Sequence, residues 1–371
     1  MGTDTDIKIP IITVGSANVE YILHHNGEVE LGKKHVISSH ELIGGSCVNY
    51  SLRLLKVGAH VFPVPLVGQD ANGRKIRDEV LAAGIGKGLS AAEKQFIQSD
   101  DFFIPGVRTP KATVLVHQQR RTIFSEAFMG GQATENHIQK RFNRLNQNIS
   151  GHPGSVMIGH ITLDADTHRP GLITKMAIDS FHDKFLIFAN FGNSQLQHGI
   201  GFWQEDLKHI DLLQLNVDEI KKMFRQADQF KSLYEIITWL QYHSITSVIT
   251  LSKFGAIGTY KSGKDGIILA WPLDIGDIVD PTGAGDAFAS GMVASLRGKK
   301  EFTFQHFLAA IAQGRLWASY ACTTIGACSR CPDRNVLDEY YQQNSRLSDR
   351  HLEIAESVNS EQIINLIEKA Y

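Results

Sequence analysis

Short apolar runs of strand length alternate with longer amphipathic segments through most of this chain, and nothing else in it constrains the fold as tightly. "IPIITVG" in the 10–15 region reads as a buried strand and "HVFPVPLVG" (60–68) as a second. "SVMIG" (155–159), "KFLIFAN" (184–190), "DLLQLN" (211–216) and "SVITLS" (247–252) continue the series. Between them the apolar pattern predicts helices over 46–56, 70–83, 166–181, 217–227 and 231–243, with two more over 302–321 and 360–370. Strands fed by crossover helices pair in parallel, which predicts an α/β fold: a doubly wound, mostly parallel sheet flanked by helices. With 371 residues, 43% of them hydrophobic, the chain can bury such a sheet as a single domain over 1–371.

Two stretches leave the pattern. "EYILHHNGEVELGKKHVISS" (20–39) has an Asn-Gly between alternating segments, which reads as a hairpin. "KATVLVHQQRRTIFSEA" (111–127) reads as a second hairpin, polar at its turn. Both lie outside a sandwich of this kind, and together they predict a small β lid whose closure excludes water from a transferring group. "LSAAEKQF" (89–96) opens a short helix with a capping box from Ser90 to Glu93.

Charge narrows the function. A formal net charge of −2 is too balanced for a protein that binds nucleic acid or a membrane surface. No window approaches the roughly 20 apolar residues that span a bilayer. The polar, acidic "MGTDTDIKIP" is neither a signal nor a transit peptide, and Asp6 stands where a myristoylation signal needs Ser or Thr. Four cysteines suit a reducing compartment, so a cytoplasmic location is expected. Cys328 and Cys331 form the only C-x-x-C, and neither Cys47 nor Cys322 completes a zinc set at suitable spacing. They read as ordinary thiols, and the adjacent His24 and His25 as surface residues.

The chemistry concentrates in "PTGAGDAFASGMVASL" (281–296). Thr282 through Gly285 can expose successive backbone N–H groups, because glycine allows unusual dihedrals and close approach. Small apolar residues follow, so a helix is expected to begin near Gly283. A helix N-terminus with open amides holds an anion, phosphate best of all, and stabilises charge that develops in phosphoryl transfer. Asp286 falls in the first turn. An acid there complements the helix dipole, the structural alternative, but that alone does not explain two glycines, Thr282 and Asp280 together. A carboxylate near both a phosphate and an alcohol can accept the hydroxyl proton.

"DPTGAGDAFASG" (280–291) resembles the C-terminal signature of the PfkB, or ribokinase-like, carbohydrate and nucleoside kinases. The resemblance implies a three-layer ribokinase-like sandwich, an anion hole from the amides of Gly283, Ala284 and Gly285, and Asp286 as catalytic base. "IGGSCVNYSLRLLKVGAHVFPVPLVGQDANG" (43–73) is similar to the family's N-terminal signature, and "TVGSANVEYI" (13–22) to its first strand. Asn18, Glu20, Gly44, Gly45 and Asn49 are thereby implied to bind the acceptor. The paired glycines give close backbone approach, and the Asn49 amide offers a donor and an acceptor. "LQLNVDEIKKM" (213–223) resembles the N-x-x-E element, which implies that Asn216 lies near the phosphates and that Glu219 positions Mg²⁺ through water. Without the rest of the pattern those two residues read equally as a helix-initial Asn with an acidic first turn. "VITLSKFGAIG" (248–258) matches the nucleotide-flanking strand and turn, implying Thr250, Ser252 and Gly255 at ATP together with Thr282. "AAIAQGRLWASYACTTIGA" (309–327) matches the helix and loop over adenine. The resemblance covers about residues 10–330, and the C-terminal extension 333–371 lies outside its motifs.

The departures concern the acceptor. Glu20 stands where sugar kinases of the family carry Asp, Ser46 replaces a frequent Lys, Ser252 a usual Gly, and "FANFGNSQL" (188–196) lacks D-x-N-x-R. The expected activity is ATP-dependent transfer of the γ-phosphoryl group to a hydroxyl of a sugar or sugar-like molecule. A nucleoside kinase of adenosine type is the alternative, favoured if Tyr21, Phe102, Phe103 or Phe124 meets a base. A non-catalytic binding relative is the alternative from another class, against which the intact Asp286, Gly283 and Gly285 argue. A Rossmann dehydrogenase lacks its G-x-G-x-x-G here, and no Walker G-x-x-x-x-G-K-[ST] occurs. Whether a monovalent cation joins ATP and Mg²⁺ is left open. In relatives the lid strands often pair two subunits, so a homodimer through the lid is the expected assembly.

Overall fold

The computed structural model describes residues 9–25, 32–117, 120–126, 132–149, 154–161, 170–225, 232–261, 267–273, 278–297, 299, 302–324, 331–348, 352–355, 361, 364–365 and 368. Its first part contains β1 (Pro10–Ser16), β2 (Asn18–His25), β3 (Ser38–Gly44), α1 (Ser46–Lys56), β4 (His60–Leu66), α2 (Ala71–Gly84) and α3 (Ala91–Gln98). There follow β5 (Lys111–His117), β6 (Arg120–Ser125), α4 (Gln132–Asn148), β7 (Gly154–Ile158), α5 (Leu172–Phe181), β8 (Phe185–Ala189), α6 (Asn193–Leu196) and α7 (Gly199–Trp203). The last part holds β9 (Leu212–Asn216), α8 (Val217–Phe224), α9 (Leu233–Tyr242), β10 (Ser247–Thr250), β11 (Ala256–Thr259) and β12 (Ile267–Ala270). It ends with α10 (Ala284–Leu296), α11 (Phe304–Ala321), α12 (Arg334–Ser348) and β13 (Leu352–Ala355).

All six strands read from the apolar runs belong to one parallel block, in the order β4-β1-β7-β8-β9-β10. Their sequences are near-continuously apolar because both faces are covered. Alternate residues feed two cores. Ile12, Val14, Val64 and Leu66 pack with Phe142, Phe181 and Ile220 on one side, while Ile11 and Val61 pack with Leu54, Phe288 and Phe307 on the other. Each such side chain contributes roughly 1.5–3 kcal/mol on burial. The outcome is a three-layer sandwich. Beyond β10 the sheet turns antiparallel through β11, β12 and β13.

A second sheet has the order β3-β2-β5-β6. The two expected hairpins are its antiparallel pairs β2–β3 and β5–β6, and β2 joins β5 in parallel from Val19 opposite Lys111 onward. The hairpin tips at 26–31 and 118–119 lie outside the described residues. β2 follows β1 after Ala17 alone, and β3 runs through Gly44 into α1. The junction of the two sheets is therefore built from the N-terminal motif.

The sequence reading missed α4. "QATENHIQKRFNRLNQN" is mostly polar, yet Ile138, Phe142 and Leu145, with Ile149 just beyond, form one buried stripe at helical spacing. The helix expected over 166–181 is described from Leu172. Of the segment 360–370, residues 361, 364, 365 and 368 are helical and the rest lie outside the described residues. Glu368 anchors this tail, accepting from the Leu233 N–H at 2.9 Å and pairing with Lys221 at 2.7 Å. Ser90 and Glu93 form the expected capping box, and Glu93 also accepts from the Val61 N–H (2.7 Å) and pairs with His60 (2.6 Å). Cys47 and Cys322 are free thiols, and Cys328 lies outside the described residues.

Candidate active site

The carboxyl ends of parallel strands face the crevice in folds of this kind. Here those ends deliver Ser16 from β1, His160 just after β7, Asn190 after β8, Asn216 from β9 and Thr250 from β10. Onto this crevice α10 directs its N-terminus. Asp280, 5% exposed, accepts from the Thr282 N–H (3.0 Å) and hydroxyl (2.6 Å), which fixes the turn ahead of the helix. Gly283 caps α10 at φ +76°, a left-handed conformation that costs a residue with a side chain about 1–2 kcal/mol. The Ala284 N–H turns back onto the Pro281 carbonyl at 3.1 Å, a bond with which an arriving anion competes. A Cβ at Gly285 would meet nothing within 4 Å, so a ligand has room there. Asp286 stands in the first turn, partly exposed.

Three side chains hold this turn from behind. Asn49 Nδ2 donates to Asp286 Oδ2 at 2.6 Å across 237 residues of sequence. Arg53, one helical turn along α1 on the same face, donates to the Gly283 carbonyl at 3.3 Å. Gln214 in β9 donates to the Gly285 carbonyl at 3.1 Å. Next to Asn49, the phenol of Tyr50 is fully buried. Burial, and then the charges of Asp286 and Glu219, push it well above its ordinary pKa, so it stays a neutral hydroxyl. Sequence reasoning singled out Asn49 and missed the other two residues that grip the turn. A glutamine inside the apolar run "LLQL" was the available signal for Gln214; Arg53 had only its spacing from Asn49.

Between the sheets lies a pocket of about 260 Å³, whose lining includes Ser16, Asn18, Glu20, Gly45, Ser46 and His160. Three of the five residues implied to bind the acceptor line it directly: Asn18, Glu20 and Gly45. Gly44 acts behind them, since a Cβ there would run into the Glu20 carboxylate. Gly45, at φ +93°, opens α1 and leaves no space for a side chain against the Ala17 backbone at 2.7 Å. Asn49 sits deeper, on Asp286. His160 was not anticipated. Its Nε2 donates to Asn190 Oδ1 (2.6 Å) and lies 3.9 Å from Glu219 Oε1, tying the pocket to the N-x-x-E element.

Asn216 caps α8 by accepting from the Glu219 N–H, and Glu219 Oε2 accepts from the Asn216 N–H, both at 2.8 Å. The helix-cap reading of this motif therefore holds, and it leaves Oε1 directed toward His160. Burial pushes the Glu219 carboxyl up, and Asp286 adds to that against the pull of His160 and the Asn216 N–H. A cation beside these two mutually repelling carboxylates would relieve both. Among the described residues no three His, Cys, Asp or Glu side chains gather as a metal cage. A sparse hard-oxygen site of this kind fits Mg²⁺, which keeps most of its waters. Beyond Thr250, Ser252 adopts φ +54°, which explains why glycine is usual at that position. Gly255 sits at φ +96°, where a Cβ would collide with the Ala270 carbonyl.

Of the four aromatic residues considered for a base, Phe102 and Phe103 are core residues at 0% and 2% exposure, and Tyr21 packs against the core. Phe124 is 61% exposed, and no Phe, Tyr or Trp is among the described residues that line the pocket. No helix among the described residues is long and apolar enough to cross a membrane.

Residues 201–334, which carry the anion turn and the N-x-x-E element, match the family model described as pfkB family carbohydrate kinase. No curated protein matches the chain by sequence. The fold is similar to that of ribokinase from Thermotoga maritima, at 17% identity and a TM-score of 0.64 over 90% of this chain and 99% of that one. It is also similar to Arabidopsis thaliana ribokinase complexed with ribose and ATP (17%, TM-score 0.63, 90% and 99% covered). The nucleoside kinase of Burkholderia thailandensis in complex with inosine aligns equally well (15%, TM-score 0.65, 91% and 97% covered). Residues 201–334 are thus similar to the pfkB carbohydrate kinases in sequence, and a ribokinase-like fold runs through nine-tenths of the chain.

Proposed function

We propose that this protein is an ATP-dependent kinase that transfers the γ-phosphoryl group to a hydroxyl of a sugar or sugar-like molecule. The observation that carries the proposal is the 2.6 Å contact between Asn49 and Asp286, which joins the acceptor motif to the anion turn. In this reading Asn18, Glu20 and the Gly45 backbone orient the acceptor in the 260 Å³ pocket. Asp286 takes the proton of the acceptor hydroxyl as its oxygen bonds to the γ-phosphorus, and ADP departs with the electron pair of the broken bond. The amides of Gly283, Ala284 and Gly285 bind the charge that builds on the transferring group, while Asn49 fixes the Asp286 carboxylate and Arg53 and Gln214 fix the turn's carbonyls. Thr250, Ser252, Gly255, Thr282 and Asn216 border the nucleotide. Mg²⁺, held near Glu219 largely through water, would supply charge neutralisation at the phosphates. The four-stranded sheet closes over the pocket as a lid.

A sugar is favoured over a nucleoside because no Phe, Tyr or Trp among the described residues lines the pocket, so a base would lack an aromatic platform. The test is a coupled ADP-release screen over pentoses, ketohexoses, deoxy sugar acids and nucleosides. Turnover on at least one sugar is expected. No turnover on any of them, with ATP binding still measurable, refutes the kinase assignment in favour of a binding relative.

A further inference from the structure

At the far ends of α1 and α10 the surface is concave and basic. Lys56 closes α1, Lys87 stands between Gly86 and Gly88 after α2, Arg297 ends α10 and Arg334 opens α12, all around a concavity of about 380 Å³. Asp333 is the one acid among its described lining residues, and it is already engaged. Lys87 Nζ lies 2.9 Å from its Oδ2, while its Oδ1 accepts from the Val336 N–H at 3.1 Å. Arg297 donates to the Gly58 carbonyl at 3.3 Å. Lys56 and Arg334 have no ion-pair partner among the described residues. Four cations against one carboxylate form a local positive excess in a chain whose formal net charge is −2.

Scattered surface lysines are ordinarily a solvated face. Here they converge on one concavity whose size falls in the range of small-molecule sites. A lysine acts as a point charge and an arginine as a planar fork, the combination that suits a phosphate. One wall is α12, from the C-terminal extension that the kinase motifs leave unexplained. The other walls lead to the active site. α1 runs about 16 Å from Ser46 to Lys56 and α10 about 20 Å from Ala284 to Leu296, so each helix has one end in each site.

We propose that this concavity is a second anion site that takes a phosphate-bearing small molecule, and that its occupancy is transmitted to the catalytic turn along α1 and α10. Binding requires only the four cations; transmission requires that the helices move as rigid bodies, because packed elements shift rather than deform. The binding half is independent of the reaction proposed above.

The test titrates the full-length protein with inorganic phosphate and with glucose 6-phosphate by calorimetry, after a non-hydrolysable ATP analogue has filled the catalytic turn. Wild type is compared with Lys56→Glu and Arg334→Glu. Each reversal is expected to weaken anion binding at least about tenfold while leaving melting temperature and analogue affinity unchanged. Should a reversal lose its melting transition, Lys56→Gln and Arg334→Gln remove the charge without adding an acid and must give the same order of effect. Tighter binding of the ester identifies a sugar phosphate as the occupant, and equal affinity identifies the free anion. Wild-type affinity in both reversed variants, or no binding by wild type at about 10 mM anion, overturns the site. Transmission is read as the change in analogue affinity caused by phosphate, expected at about fivefold and abolished by the reversals. An identical change in wild type and variants refutes transmission, whatever the acceptor screen returns.

Discussion

Replacing Asn49 with alanine probes the contact on which the proposed chemistry turns. The Asn49 amide is 5% exposed and donates to Asp286 at 2.6 Å. A hydrogen bond to a charged group contributes about 1.5–3 kcal/mol, and because Asp286 is partly exposed the lower end applies, about 1.5–2 kcal/mol. If that energy holds the carboxylate on the acceptor oxygen, its loss lowers kcat by roughly 10–30-fold, at about 1.4 kcal/mol per decade. The assay is ADP release at saturating ATP with the acceptor found in the screen, with KM for ATP expected within about twofold of wild type, since no nucleotide contact is removed. The same substitution in an Asp286→Asn background closes a double-mutant cycle. Once the base is gone, removing the group that positions it is expected to cost little more. Full additivity of the two losses, or a single-variant kcat within about twofold of wild type, would refute the reasoning.

Asp286→Asn alone is expected to lower turnover by at least about a hundredfold while nucleotide affinity, measured by calorimetry, stays within about twofold. Ser252→Gly relieves a left-handed residue at φ +54°, a gain of about 1–2 kcal/mol offset by glycine's extra unfolded-state entropy of about 0.5–1 kcal/mol. Denaturant unfolding should therefore show a net stabilisation of roughly 0.5–1 kcal/mol, and a destabilised variant contradicts the strain argument. Glu93 is pushed up by burial, but the hydrogen bonds from His60 and Ser90 outweigh that and leave its carboxyl below the ordinary 4.5. Its contribution is then fully present above pH 4.5 and is lost as pH falls through the lower folded value. Glu93→Gln should cost about 2 kcal/mol or more at pH 7, with the gap to wild type narrowing on acidification; a gap constant with pH counts against it.

What was legible in the sequence was what is local in it. The turn at Asp280–Asp286 shapes itself, with Asp280 bending it through Thr282 two residues on and Gly283 supplying the left-handed cap, so a short string carried the whole element. The parallel strands were legible because burial on both faces makes them uniformly apolar. The members of the site supplied from a distance were harder to see. Gln214 meets the Gly285 carbonyl 71 residues away and Arg53 meets that of Gly283 at 230, separations over which no periodicity carries information. His160 looked like one of sixteen scattered histidines until β7 set it at the mouth of the pocket. The antiparallel margin β11–β13 escaped because four-residue strands are too short to show a period.

The Asn49–Asp286 bond also bears on how the protein comes to be. A contact spanning 237 residues is among the last that a growing or refolding chain can close, since loop closure disfavours distant pairs and slows folds rich in them. A ribosome-bound chain emerging from its N-terminus displays the acceptor strands long before the base and the anion turn exist. Only a fragment that spans those 237 residues contains both. In the proposed kinase reading the fold thereby acts as its own safety interlock: phosphoryl-transfer capacity would arrive only with the complete turn, and a truncated copy would have nothing with which to draw on ATP.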